Sequence, residues 1–349
     1  MKIALPGMYV DEIAAAIKPF KLPAYRARQI ADWMYRYHVD DFSDMTNLSK
    51  ETRRLLSEHF LIRNYKIKDS LHSADGKTSK FLLAFSDQTT VETVLMRQPY
   101  GNSVCVSTQV GCAMGCAFCA STLYGLTRNL TAGEIISQIL YIDSYLAVKR
   151  EKIDTIVIMG MGEPLANYDN VLKFIRLCHE EYVLNISYRS ITLSTSGLIP
   201  EIDRLSEEKL PITLSISLHG ANDNVRSKIM PVNRRYNIAS LLAAGDRYAA
   251  CTGRRVTYEY TLIAGYNDHI EDAKELAGLL RHRLASVNLI PVNSVPERGL
   301  LRPVVAKVKQ FERVLLDNKI NVTVRKEMGT DIQAACGQLR QKNIDTDKS

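Results

Sequence analysis

The sequence predicts an α/β protein, a partial (β/α)6 barrel preceded by a small N-terminal helical accessory domain. Three observations carry that reading. From Val104 onward, short strand-like runs alternate with longer helical stretches, the pattern of parallel βαβ units. Over residues 1–66 the apolar positions follow a helical period instead. A chain of 349 residues has room for one domain of barrel size and a small companion.

Within 1–66, Ile30, Trp33, Met34 and Tyr37 form the i, i+3, i+4, i+7 stripe of a helix. A second helix carrying Leu55, Leu56 and Phe60 follows, with Asn47 or Ser49 as its cap. Residues 67–100 read as a β-strand bridge: Lys80–Phe85 and Val91–Met96 are strands, and Asp75-Gly76 is a turn signal ahead of them. The barrel occupies 101–326. Its strands are expected at Val104–Ser107, Thr155–Met159, Ser190–Ser194, Ile212–Ser217, Val256–Ile263, Ser286–Ile290 and Val322–Arg325. Helices are expected between them at Ala132–Leu146, Val171–Glu181, Ala239–Ala250, Ile270–Arg281 and Ala306–Asp317. Residues 327–349 form a tail rich in small residues around Cys336.

The charge balance, 45 basic against 38 acidic residues for a net +7, is modest. Its distribution is uneven. Arg26, Arg28, Arg36, Lys50, Arg53, Arg54, Arg63, Lys66, Lys68, Lys77 and Lys80 crowd the first eighty residues, interleaved with Tyr25, Tyr35, Tyr37 and Tyr65. Cations neutralise phosphates and aromatic rings stack on unpaired bases, so this segment reads either as an RNA-docking surface or as a solvated helical face. No run of about 18 apolar residues is present, and the first residues do not resemble a secretion signal. Seven cysteines, three of them clustered, fit a reducing cytoplasm better than a disulfide framework, so a cytoplasmic protein without membrane association is expected.

Cys112, Cys116 and Cys119 lie in Cys-Ala-Met-Gly-Cys-Ala-Phe-Cys, a spacing that can wrap three thiolates around a four-iron cube and leave the fourth iron open for a ligand. A zinc knuckle is the alternative, but no nearby fourth Cys or His follows Cys119. In a barrel, chemistry gathers at the C-terminal ends of strands. Here those ends carry Gly160-Met161-Gly162-Glu163, then Ser194-Thr195-Ser196-Gly197, then Ser217-Leu218-His219, and finally Asn293. Glycines let a ligand approach the backbone closely, and Glu163 can accept a hydrogen bond from an ammonium or a ribose. Read alone, Cys105 is a core thiol, Glu92 a solvent-facing strand position and Cys336 a thiol on a mobile tail, while Cys178 and Cys251 are incidental.

Together, Cys112 to Cys119, Met159-Gly160-Met161-Gly162-Glu163-Pro164-Leu165, Leu193 to Gly197, Ser217 to His219 and Asp331-Ile332-Gln333-Ala334-Ala335-Cys336-Gly337-Gln338-Leu339 resemble the RlmN/Cfr family of radical S-adenosylmethionine (SAM) RNA methyltransferases. The likeness spans nearly the whole chain. It implies a radical SAM barrel with a [4Fe-4S] cluster on Cys112, Cys116 and Cys119, and S-adenosyl-L-methionine held by Gly162, Glu163, Ser194, Ser217, Leu218, His219 and Asn293. It further implies that Cys336 is methylated, loses a hydrogen to the radical machinery, and joins covalently to an adenine. Cys105 then frees the product by forming a disulfide bond with Cys336, and Glu92, in Val91-Glu92-Thr93-Val94, is the proton acceptor. The implied partners are 23S rRNA, at an adenosine of the peptidyl-transferase centre, tRNA, at the adenosine 3′ of the anticodon, and an electron donor such as flavodoxin or ferredoxin. Pro164 inclines the reading to the C2 branch, since C8 enzymes resemble a version with Ala there. Ser294 and Met328 depart from the family pattern, which has Pro and Arg at those places. A radical SAM maturase acting on a protein and a non-enzymatic RNA-binding protein remain as alternatives. The first lacks the extra cysteine motifs common in maturases, and the second leaves the placed cysteines unexplained.

Overall fold

A computed structural model of the protein describes residues 2–340; Met1 and residues 341–349, the end of the expected tail segment, lie outside the described residues. The chain opens with strand β1 (Ile3–Ala4) and helices α1 (Val10–Ile17), α2 (Tyr25–Tyr35) and α3 (Lys50–His59), then β2 (Phe60–Leu61), which pairs in parallel with β1. Ile13, Ile17, Ile30, Met34 and Leu56 point into a shared core, the helical period seen in sequence. Ser49, rather than Asn47, caps α3 by accepting from the Thr52 N–H at 3.2 Å. Asn47 instead accepts from the Trp33 indole at 2.6 Å. Tyr37 falls beyond the end of α2, and Phe60 lies on β2, not on α3.

The main body is a ten-stranded sheet. Strands β3 (Tyr65–His72), β4 (Thr78–Phe85), β5 (Thr90–Gln98) and β6 (Gly101–Cys105) run antiparallel. From β6 the sheet continues in parallel order through β9 (Thr155–Ile158), β10 (Ile191–Thr195), β11 (Thr213–Ser217), β12 (Val256–Leu262), β13 (Ala285–Pro291) and β14 (Asn321–Val324). The sheet stays open, with β14 and β3 at its edges. A separate hairpin, β7 (Gln109–Gly111) with β8 (Leu126–Asn129), lies between β6 and β9. Six helical crossovers link the parallel strands: α4 (Ala132–Ala147), α5 (Tyr168–His179), α6 (Ile199–Glu207), the pair α7 (Asp223–Ile229) and α8 (Ile238–Thr252), α9 (Ile270–Leu280) and α10 (Val305–Asp317). These are the six β–α units of the expected open barrel.

Each expected barrel strand is present within a few residues of its predicted bounds. Helices α6 and α7 and the β7–β8 hairpin go beyond the sequence reading. They are short, with Ile202 and Leu205 as the fully buried apolar residues of α6, too few to set a period. The strands of the expected bridge are not peripheral. Every side chain of β4 is buried, and Phe81 packs edge-on against Tyr141 of α4, with ring centroids 5.0 Å apart.

Three sequence-level readings are corrected here. Glu92 is not solvent-facing: it is 1% exposed and faces a cation, Lys80, at 2.9 Å. Lys80 therefore leaves the set of free basic groups. Tyr35 leaves the aromatic set, because its ring is buried and its hydroxyl bridges the Gly7 N–H and the Met8 carbonyl. Arg28, Arg36, Arg54 and Arg63 are each paired with an acidic neighbour, while Tyr25 (60%) and Tyr37 (64%) remain open to solvent.

Candidate active site

The cluster motif occupies the long loop of the β7–β8 hairpin. At its neck the Cys112 N–H donates to the Gly125 carbonyl at 2.9 Å, and a Cβ on Gly111 (φ +77°) would fall 2.0 Å from that same oxygen. Glycine is required there, and the neck closes the loop into a bag. The Ala117 N–H donates to the Ile229 carbonyl, and Cys116 packs with Ile229 and Met230. Cys112, Cys116 and Cys119 all face one cavity at the C-terminal ends of the parallel strands.

The opposite wall of that cavity holds Gly162, Glu163, Ser194, Ser217, His219 and Asn293. Glu163 is fully enclosed and accepts from Thr195 Oγ1 (2.7 Å), the Ser196 N–H (2.6 Å) and the Leu165 N–H (3.1 Å). Burial raises its pKa, and these donors offset part of the rise. Three of about four lone-pair positions are used, which leaves room for one ligand donor. His219 Nδ1 accepts from the Thr261 N–H at 2.8 Å, so Nε2 carries the proton, and burial depresses its pKa to about 3. The imidazole is neutral, wedged edge-on against Phe118 of the cluster loop at 4.7 Å between centroids. Leu218 sits apart from the wall: its side chain is buried in the core and its carbonyl accepts from Arg226 at 3.0 Å.

Arg226 was missed in sequence. It has no exposed surface, and its guanidinium donates to the Leu218, Ser217, Ser196 and Tyr236 carbonyls and to Asn233 Oδ1. It thereby ties the ends of β10 and β11 together beneath the cavity. All five acceptors are neutral, and burial lowers its pKa to about 10. Nothing in the local sequence marks it, because its partners come from three separate segments.

Cys336 and Gly337 reach the same cavity from the tail. The Asn293 amide donates to the Cys336 carbonyl at 2.9 Å, and the Ala120 N–H to the Gly337 carbonyl at 2.7 Å. Cys105, at the end of β6, lines an adjoining cavity in the barrel interior that Cys336 also borders. Both thiols are free. Burial pushes Cys105 up to about 12 and raises Cys336, whose thiolate the neighbouring Arg325 favours. Arg325 stands 3.7 Å from Glu259, which in turn accepts from Ser194 Oγ at 2.6 Å. Both charged residues had a sequence signal, a carboxylate inside one apolar strand and an arginine closing another. Glu92 lines neither cavity, and its Oε2 accepts from the Arg340 N–H at 3.0 Å.

The residues fit the implied cofactors. Burial raises the pKa of all three loop thiols, Cys112 to about 12, so their ionised forms need a cation that an iron-sulfur cube supplies. Among the described residues no three His, Cys, Asp or Glu side chains gather around a single-ion site. A cube spreads its thiolates over separate irons, whereas zinc draws its ligands to one point. On the SAM side, Asn293 leaves its buried Oδ1 without a partner at the cavity wall.

An open parallel barrel with a three-cysteine loop at its strand ends defines a radical SAM enzyme, and residues 106–277 match the radical SAM superfamily. Residues 3–62 match the ribosomal RNA large subunit methyltransferase N-terminal domain. A probable dual-specificity RNA methyltransferase RlmN of Symbiobacterium thermophilum is 51% identical over 97% of this chain and 91% of its own. One of Desulforamulus reducens is 50% identical over 98% and 97%. The crystal structure of a radical SAM methyltransferase from Sphaerobacter thermophilus superposes with a TM-score of 0.95 at 45% identity, covering 97% of this chain and 99% of that one. The chain belongs to the RlmN family of radical SAM RNA methyltransferases. No helix among the described residues is long and apolar enough to cross a membrane.

Proposed function

We propose that the protein is a cytoplasmic enzyme that methylates C2 of an adenosine in 23S rRNA and in tRNA, through a methylated Cys336 and a transient protein–RNA adduct. The observation that carries this reading is the meeting of Cys336 with the three-thiol loop in one cavity, with a second free thiol, Cys105, in the adjoining one. Cys112, Cys116 and Cys119 would hold the [4Fe-4S] cluster. Gly162, Glu163, Ser194, Ser217, His219 and Asn293 would hold SAM, while Leu218, whose backbone N–H and carbonyl are bound to Glu259 and Arg226, would set the Ser217 and His219 positions from behind the wall. When bound and reduced by a donor such as flavodoxin or ferredoxin, these cofactors supply a carbon radical able to take hydrogen from a methyl group.

The Cys336 thiolate, which Arg325 favours, would first take the methyl group of one SAM, whose S–CH3 bond breaks and whose thioether leaves. After hydrogen loss, the sulfur-bound carbon radical adds to adenine C2; Glu92 takes the proton displaced from that carbon, and the odd electron would return to the one-electron carrier held by Cys112, Cys116 and Cys119. Cys105 then attacks the Cys336 sulfur. The S–S bond forms, the S–C bond breaks with its electron pair on carbon, and a proton completes the methyl group. His219, neutral and pinned between Thr261 and Phe118, orients the cofactor without competing for protons. Exposed Tyr25 and Tyr37 with Lys66 and Lys68 of β3 form the RNA-facing surface.

Nucleoside mass spectrometry of rRNA and tRNA after incubation with anaerobically reconstituted enzyme, reductant and SAM tests the assignment. 2-Methyladenosine supports it. 8-Methyladenosine moves the chemistry to the other ring carbon, and SAM cleavage without methylated adenosine refutes the RNA substrate.

A further inference from the structure

The Cys336 loop is held at its crown by neutral hydrogen bonds: Asn293 Nδ2 and the Ala120 N–H reach its carbonyls, Gln338 Nε2 donates to the Ser294 carbonyl, and Ser121 Oγ to the Leu339 carbonyl. Its two feet are held differently. Lys80 Nζ donates to the Gln333 carbonyl at 3.0 Å, three residues before Cys336, and pairs with Glu92 Oε1 at 2.9 Å. Glu92 Oε2 accepts from the Arg340 N–H at 3.0 Å, four residues after it. Both side chains are at least nineteen-twentieths buried, so the pair is desolvated and its geometry is fixed by these contacts. A single ion pair on neighbouring strands β4 and β5 thus grips the loop before and after its thiol.

We propose that Lys80 is a positioning residue, one that sets the methyl-carrying loop and the proton acceptor in a common register. It touches the loop through Gln333 and the acceptor through Glu92, and lines neither cavity itself. The proposal rests on the reading of Cys336 as methyl carrier and Glu92 as proton acceptor. It explains why a lysine is buried under the tail, where an apolar side chain would fill the same space without the cost of desolvation. Lys80 acts on two steps: methyl loading of Cys336, which needs the loop, and RNA methylation, which needs the loop and Glu92 together.

The test compares Lys80→Met, Lys80→Arg and Glu92→Gln with the parent in the reconstituted holoenzyme. Hydrogen exchange of residues 333–340 is read without RNA, Cys336 methylation by peptide mass spectrometry, and product by nucleoside analysis. Lys80→Met is expected to speed exchange of 333–340 by about tenfold while amides of β10–β12 stay unchanged. It should also slow methyl loading of Cys336 by about tenfold, the scale of losing a supporting contact behind a reactive group. Lys80→Arg keeps the cation and should recover both within a few fold. Unchanged exchange at 333–340 in Lys80→Met, or faster exchange across the whole sheet, overturns the proposal. Glu92→Gln separates the two ideas. Normal RNA methylation in that variant removes Glu92 as proton acceptor and leaves the loop measurements on Lys80 standing, because they need no RNA.

Discussion

Two fully enclosed cations hold the two halves of this active site, and they do so by opposite means. Arg226 braces the cofactor side with five hydrogen bonds to neutral oxygens of the β10 and β11 ends and the following turn. Lys80 braces the Cys336 side with one carboxylate and one carbonyl. A guanidinium fans out over several carbonyls at once, whereas an ammonium on a flexible stem concentrates on few partners. The first arrangement ties two strand ends and a later turn into one frame. The second hangs the reactive loop on Glu92, a group the proposed chemistry itself uses. One side is thus tied at five neutral points and the other hangs on a single buried ion pair.

The sharpest way to break the comparison is to empty each side of its chemistry. Cys336→Ala should abolish methyl transfer to RNA altogether, with SAM cleavage retained, as read by nucleoside and nucleotide mass spectrometry. Cys105→Ala should leave the adduct forming but unresolved, so that denaturing gels show protein bound to RNA; free methylated RNA from this variant would remove its assigned role. On the cofactor side, Arg226→Met strands five acceptors in the interior and should cost about 3–5 kcal/mol of stability in chemical denaturation. A loss confined to loop exchange, with stability intact, would contradict the bracing role of Arg226.

Acidity sharpens the same contrast. Burial pushes the Cys105 thiol up to about 12, so below that pH each added unit raises its thiolate fraction about tenfold. Adduct decay in rapid-quench experiments should therefore accelerate about tenfold per unit from pH 7 to 9. His219 acts on stability rather than rate, and in the same sense, gaining as the pH rises. Its folded pKa, near 3, lies below the unfolded value of about 6.5. The stability tied to its neutral ring is complete above pH 6.5 and is lost as the pH falls from there toward 3, because only the unfolded chain takes up the proton. Comparing denaturation midpoints of the parent and His219→Gln at pH 7 and pH 4 reads this directly, with the gap narrowing at the lower pH.

What could be read from sequence divides along the same line. The barrel strands and most crossovers were legible because their apolar runs are local and periodic. The cluster loop was legible because its three thiols lie within eight residues. The burial of Glu92 was not, since an alternating strand looks alike whether its second face meets water or a covering tail. Lys80 read as one more basic residue of an RNA-facing segment, because its acceptors include a carbonyl 253 positions away. The partners of Arg226 depend on how separate crossovers stack, which no window of sequence contains, whereas Glu259 and Arg325 each left a local mark but not their pairing. The family resemblance singled out Cys105, Glu92 and Cys336, and the geometry adds how the second and third are joined.

The passage of the sheet from antiparallel to parallel at β6 has a consequence for the molecule as an object. The strand that ends in Cys105 has Val94 on one side and Val157 on the other, so it belongs equally to the N-terminal strands and to the barrel. A chain beginning after residue 100 would turn this seam into a raw edge, with unpaired backbone groups and an apolar flank offered to any neighbour. The barrel of this enzyme is therefore no portable cartridge that could be excised and fused elsewhere. Heated in a calorimeter, the sheet should melt as one cooperative body, its parallel part inseparable from the strands that shelter it.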